Sequence, residues 1–439
     1  MVFRRGHDAP SGNSGLISDA RQPVSPSRTL IVAATSNVGD NISLFAVPWL
    51  LTGFTHSAIV VALASAVGRV PGVLARYWAP SLVRDSPLRA MRNSCLIRVA
   101  VLGVLSACYV WLPAQEAVLF AFMAAVGITD ILFDVALDTH IANGRLPSRE
   151  LARLNGNVRT IELVSSDFVG RPVGSLLLGV APVLPFLVNL ATSAVSAVLL
   201  AMRTATGPRG TVHGDPGAPE TVATDAAPAA TSDDSARERR ISTLRGLIAV
   251  TVALTAVYSA LLGIQVLYAR LVLHAGPTSF AVLLTVSAVG SIAGAKVSPA
   301  LTNLLGYRAT ATSMIAIMSA AFVGQGLARS TWTASPAYAA GGFAVACWAV
   351  ATTTARQLIC PAHLRPSFAA RAQAAGAAAS LLGMVLGGLV VWAVTTAVPE
   401  RSVLWAAFVV GGLAVAVIGG AAQRPIRAAW SLMKPNSGR

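Results

Sequence analysis

Asp40 and Arg69 are the first charged side chains to fall inside long apolar stretches of this sequence. Asp130, Asp134 and Asp138 follow in another such stretch, and Glu162, Asp167 and Arg171 in the next. An ionised group surrounded by hydrocarbon costs a few kcal/mol, so it is either paired or kept for a function. The chemistry available to acids and arginines in such a place is the holding and release of protons. The aspartate triplet has i, i+4, i+8 spacing and shares one helical face. Three like charges could not face lipid, so that face must line a cavity or meet cationic partners. Asp138 lies near the interface and reads as solvated. Asp130 and Asp134 lie deeper, and neighbouring carboxyls that cannot all stay ionised together suit proton carriers.

Asp40 and Arg69 each lie about ten residues from the same end of their runs, roughly 15 Å deep at 1.5 Å per residue. The two runs are consecutive and antiparallel, so an Asp40–Arg69 ion pair is available. It could be a static pair that fixes helix packing, or a pair that opens when Asp40 takes a proton. Asp167 and Arg171 are i, i+4 partners. They could neutralise each other or face a substrate path.

Other chemistries find little footing. The six histidines are scattered singly, and no His-Glu-x-x-His or Walker-A run occurs. The four cysteines, Cys95, Cys108, Cys347 and Cys360, have no paired spacing, so neither a disulfide framework nor a zinc site is expected. The expectation is a protein without metal or cofactor that is not an enzyme.

The elements that must carry these charges are apolar helices. Hydrophobic residues make up 54% of the 439 and charged residues only 12%, about half of what a soluble domain carries. These figures disfavour a water-soluble enzyme, a disordered chain and a fibrous protein. Runs of spanning length fall at 29–53, 57–79, 94–113, 117–138, 157–180 and 182–202. A second set falls at 244–268, 279–302, 309–329, 336–355, 370–394 and 402–422. The expected fold class is therefore an all-α polytopic membrane protein with twelve spans, both termini on one side. Its expected parts are a disordered tail over 1–28, a six-helix bundle over 29–203, a flexible linker over 204–243, a second bundle over 244–423 and a basic tail over 424–439.

The net charge of +15 is a topology signal. Arg84, Arg89 and Arg92, then Arg145, Arg149 and Arg153, then Arg308 and Arg365 fall in loops on the side of the termini. The opposite side has only Arg270, Arg329 and Arg401. The positive-inside rule makes the crowded side the cytoplasm. A nucleic-acid partner is thereby disfavoured, because the excess is spread over many loops.

The two halves repeat. Pro147 and Pro361 are 214 residues apart, and the Gly170-x-x-x-Gly174 and Gly383-x-x-x-Gly387 pairs begin 213 apart. Such pairs let helices approach closely in lipid. Parallel six-span halves are the plan of the major facilitator fold, with a substrate site between them near the midplane.

Specific stretches carry a resemblance. They are Asn37-x-Gly39-Asp40 with Ala46-x-Pro48-Trp49, Leu151-x-x-x-Asn155 leading to Gly170-x-Pro172-x-Gly174, and Arg356-Gln357-x-x-x-Pro361 with Gly383 to Gly388. On these the chain resembles a major facilitator superfamily exporter, in the twelve-span branch containing macrolide-efflux and enterobactin-export proteins. That family carries a Gly-x-x-x-Asp-Arg-x-x-Arg-Arg motif between spans two and three. Here Pro80 replaces the glycine and Arg84-Asp85 inverts the Asp-Arg order. The resemblance assigns Arg84, Asp85 and Arg89 to a cytoplasmic gating loop. It implies a secondary transporter in a bacterial plasma membrane, exporting antibiotics or other natural products by proton antiport. A siderophore or metabolite exporter, or an importer of the same fold, is the alternative. The implied partners are the lipid bilayer, a small-molecule cargo and protons, with no obligate protein partner. The second half carries no acid inside its spans, only polar Gln265 and Gln325 with Lys296 and Arg356 near the ends. This points to a first half that handles protons and a second that supplies an apolar wall for an amphipathic or lipophilic cargo.

Overall fold

A computed structural model of the chain describes residues 26–83, 86–111, 115–143, 148–202, 234–361 and 364–433. The tail to residue 25, the connection 203–233, the loop residues Arg84 and Asp85, and the terminus from 434 lie outside the described residues.

The described residues are helical almost throughout. In chain order the helices are α1 (Pro26–Leu51), α2 (Ala58–Val67), α3 (Val70–Val83), α4 (Pro87–Trp111), α5 (Gln115–Asn143), α6 (Ser148–Leu163), α7 (Arg171–Val180) and α8 (Leu184–Ala201). The second half continues with α9 (Asp234–Leu271), α10 (Pro277–Leu327), α11 (Thr331–Ile359), α12 (Arg365–Thr395) and α13 (Glu400–Met433). A π-helical segment, Val164–Gly170, joins α6 to α7. Ten helical stretches among the described residues are long and apolar enough to cross a membrane.

Three departures from simple spans have local causes. The expected second span, 57–79, is not one helix but α2 and α3, parted at Gly68-Arg69. Pro71 has no N–H to continue an α-helical ladder and disfavours helix in the residue before it. Helix α9 begins at Asp234, so residues 234–243 of the expected linker are helical. Finally, α10 is 51 residues long and turns at Gly306, whose φ of 80° only glycine adopts freely. Gly290, Gly294 and Ser298 meet Ala339, Phe343 and Cys347 in α11, a constant displacement, so the first arm runs parallel to it. The second arm enters α11 through a short turn at Ala328–Ser330, capped by Ser330 and Thr333, so the arms are antiparallel. Spans eight and nine are these two arms.

The duplicated glycine pairs occupy matching places. A Cβ on Gly170 or Gly174 would meet Asn41 Cβ at 2.4 Å or the Ile42 carbonyl oxygen at 2.7 Å, both in α1. On Gly383 or Gly387 it would meet the carbonyl oxygens of Ala256 at 2.3 Å or Ala260 at 2.6 Å, both in α9. In each half the fifth span thus crosses the first at backbone contact, which only glycine permits. Such close packing supplies cohesion between helices where the surrounding lipid is as apolar as the side chains. Arg28 donates to the carbonyls of Leu199 and Met202, satisfying acceptors at the end of α8.

Among the described residues the halves are tied together at one end, and α12 also touches α3 beyond it. Arg270 in α9 donates to Thr52 Oγ1 at 2.9 Å, and Ser175 in α7 to the Pro277 carbonyl at 2.5 Å. Trp49 in α1 stacks on Phe280 at 5.3 Å. Gly388 in α12 packs on Ala62 in α2. These contacts adjoin the loops that carry few arginines.

Candidate functional site

Below that closed end, toward the side of the termini, a cavity of about 390 Å³ separates the halves. It is within the range of small-molecule sites. Asn41, Arg69, Asp130 and Arg171 line it from the first half, Gln265 and Ser380 from the second, with apolar Phe45, Met123 and Met384 between them.

Local sequence explains how the charged residues reach it. The α2–α3 break brings Gly68 against Gly127 of α5, where a Cβ on Gly127 would sit 2.3 Å from the Gly68 carbonyl oxygen. The turn at this crossing places Arg69 on the cavity wall, exposed. Pro172 cannot donate to the ladder, and the turn before it widens into the π-helical segment. Such segments shift helical register and are frequent at functional sites. Arg171 follows directly and lines the cavity. The i, i+4 argument for Asp167 and Arg171 assumed regular α-helix, which this span is not, and the Asp167 side chain lies outside those described.

The ion pair of Asp40 differs from the expectation. Its partner is Arg98 of α4, not Arg69. Arg98 and Asp40 are each 1% exposed. Arg98 also donates to Ser36 Oγ and Thr129 Oγ1, both at 3.0 Å, and its Nη2 lies 3.9 Å from Asp130 Oδ1. Ser36 precedes Asp40 by one helical turn and donates to its carboxylate at 3.4 Å. Sequence reasoning missed Arg98 because it started the third span at residue 94, putting the arginine at the interface. The helix starts at Pro87, so Arg98 lies eleven residues in, about 16 Å. A proline at the first helical position was the available signal.

The three aspartates have different surroundings. Asp130 is 29% exposed and joins the cavity to the buried pair. Asp134 Oδ1 is buried without a hydrogen-bond partner. Asp138 is exposed. Arg89, near the start of α4, is exposed. Asn189 of α8, fully buried beside Gly39, is another polar residue the sequence reading passed over. Among the described residues, no group of three or more His, Cys, Asp or Glu side chains is placed to hold a metal.

Helices in this arrangement define a multi-pass membrane protein of the major facilitator fold. The chain resembles a bacterial homologue of the iron transporter ferroportin in an inward-facing state, with 14% identity and a TM-score of 0.64 over 90% of this chain and 98% of that one. A bacterial homologue of the human lysosomal transporter Spinster, inward-facing and unoccupied, matches with 14% identity and a TM-score of 0.66 over 93% and 98%. A peptide transporter matches with 15% identity and a TM-score of 0.66 over 97% and 100%. No protein-family model and no curated protein sequence matches the chain.

Proposed function

We propose that the protein is a secondary active transporter that exports small amphipathic or lipophilic compounds, antibiotics or natural products among them, in exchange for protons. The observation that carries this reading is the reach of Arg98 between Asp40, sealed in the first half, and Asp130, on the cavity wall. A proton arriving at one acid releases the guanidinium toward the other. Asp40 and Asp130 sit on α1 and α5, both of which line the cavity, so the change of charge reaches the place where cargo would bind. Arg69 and Arg171 contribute positive charge to the same wall.

Alternating access follows from the arrangement of the halves. One bundle rocks against the other around the cavity. The contacts at the closed end, Arg270 to Thr52 and Ser175 to Pro277, break as the opposite end closes. On the arginine asymmetry of the loops, the end opposite these contacts is cytoplasmic, with both termini there and the membrane a bacterial plasma membrane. Solved structures of a peptide transporter, a nucleoside transporter and a bacterial homologue of the iron transporter ferroportin share the fold, which leaves cargo choice to the cavity lining.

Everted membrane vesicles carrying a pH-sensitive dye test the reading. Adding a transported compound to energised vesicles should release protons with the wild type. That release should be lost with Asp40→Asn and with Asp130→Asn. Normal amounts of both variants, transporting with an unaltered pH dependence, would remove the coupling proposal.

A further inference from the structure

A second, smaller space opens off the large cavity into the C-terminal half. It has a volume of about 80 Å³ and shares Arg171, Leu262 and Gln265 with the large cavity. Its walls combine aromatic rings with hydrogen-bonding groups. Tyr258 lies beside Phe322, ring centroids 6.4 Å apart, and Gln265 Nε2 donates to the Tyr338 hydroxyl at 3.2 Å. Ser287 and Gln325 add a hydroxyl and an amide.

Gly341 and Gly342 leave room on one side. A Cβ on Gly342 would sit 2.1 Å from the Ser287 carbonyl oxygen, so that glycine is required by the crossing of α10 and α11. A Cβ on Gly341 would meet Gln325 Nε2 at 3.4 Å and Ala321 Cβ at 3.5 Å, ordinary contacts. A side chain at Gly341 is therefore not excluded by helix packing, and it would press on Gln325 and Ala321 as it entered the chamber.

No carboxylate lies among the described lining residues, and the one charge is Arg171, at the junction with the large cavity. A cation entering here would lose its water without gaining a counter-charge, which is costly. A hydroxyl or carboxylate would find hydrogen-bond donors, with a guanidinium at the entrance. At about 80 Å³, roughly half of a cavity of about 150 Å³ that holds benzene, the space takes only part of a small ring, the rest remaining in the large cavity it opens from.

We propose that this chamber is a cargo subsite for one planar aromatic head, uncharged or anionic, bearing hydroxyl or carboxyl groups, while the apolar remainder of the cargo lies in the large cavity. The inference rests on the reading of the large cavity as a cargo site.

Equilibrium dialysis of full-length protein in lipid nanodiscs, with empty nanodiscs subtracted, tests it. The probes are 4-hexylphenol, 4-hexylbenzoate and 4-hexylbenzylammonium. Gly341→Leu, which fills the chamber, and Gln265→Leu, which removes its amide, should each weaken the phenol and the benzoate by about tenfold. The ammonium probe should bind both variants as it binds the wild type. Should Gly341→Leu fail to fold, Gln265→Leu decides by the same criterion. Equal weakening of all three probes, or of none, overturns the proposal. Uptake of the same probes into everted vesicles separates the two readings. Binding that is selective and sensitive to Gly341→Leu without any uptake leaves the chamber standing and removes the transporter reading. Uptake with insensitive binding does the reverse.

Discussion

Arg98 and Asp40 form a fully buried ion pair that ties α4 to α1, each residue 1% exposed. Two hydroxyls, Ser36 and Thr129, accept from the guanidinium at 3.0 Å, while its Nη2 faces Asp130 at 3.9 Å without a hydrogen bond. A buried charge is tolerated only with its counter-charge and hydrogen bonds in place. The pair therefore fixes how the first half packs and sets what happens when one partner loses its charge.

Removing one partner should be worse than removing both. Arg98→Ala leaves Asp40 alone in the interior and should cost about 3–5 kcal/mol. Asp40→Ala together with Arg98→Ala should recover at least half of the loss. Arg69→Ala with Asp40→Ala should be additive to within about 0.5 kcal/mol, since the two are not partners. Thermal unfolding of the purified variants measures this. Strong coupling of Asp40 to Arg69 instead would contradict the observed pairing.

Asp130 is half inside the network and half in the cavity, at 29% exposed. Asp130→Asn should leave stability within about 1 kcal/mol of the wild type. Its transport rate should lose dependence on pH. Rates in reconstituted vesicles between mildly acidic and mildly alkaline buffer decide the matter: a retained wild-type profile takes Asp130 off the proton path.

Gly383 sits against the Ala256 carbonyl oxygen at a distance where a Cβ would come to 2.3 Å, whereas Gly376 on the same helix meets nothing within 4 Å. Gly383→Ala should destabilise by about 1–3 kcal/mol through overpacking. Gly376→Ala should stabilise by up to about 1 kcal/mol, as alanine favours helix. A shift in the same direction for both in a thermal melt would mean that α12 does not cross α9 at Gly383.

A Cβ on Gly388 would lie 2.4 Å from Ala62 Cβ, across the closed end. A small separation brings the pair to the roughly 3.5–4.5 Å that a disulfide needs. Ala62→Cys with Gly388→Cys, in a chain with its four native cysteines replaced, should cross-link on mild oxidation and stop transport. Reductant should restore it. Full transport by the cross-linked protein would rule out rocking about this contact.

Most of the architecture was legible in the sequence. Composition required apolar helices, since lipid leaves every backbone group to be satisfied within its own segment. The matched glycine pairs marked the duplicated halves, and in each half they pack on the first helix. These properties are periodic or compositional, and periodicity survives without knowledge of neighbours.

The partner of Asp40 was not legible. Depth along a helix can be counted, but rotation about its axis and the choice of neighbour are set by packing. Here α4 brings Arg98 to Asp40, while the α2–α3 break turns Arg69 to the cavity. The break was foreshadowed by Gly68, Pro71 and Gly72, yet where it would aim the intervening arginine depended on Gly127 in α5, more than fifty residues away. Likewise the π-helical segment before Arg171 answers to Pro172 locally and to the Gly170 contact with α1 at long range. The sequence by itself determined that there would be two bundles of apolar helices with a few charges inside them. Only the tertiary structure decided which charges meet, because a counter-charge is chosen by proximity in three dimensions and every apolar face offers the same hydrocarbon to its neighbours.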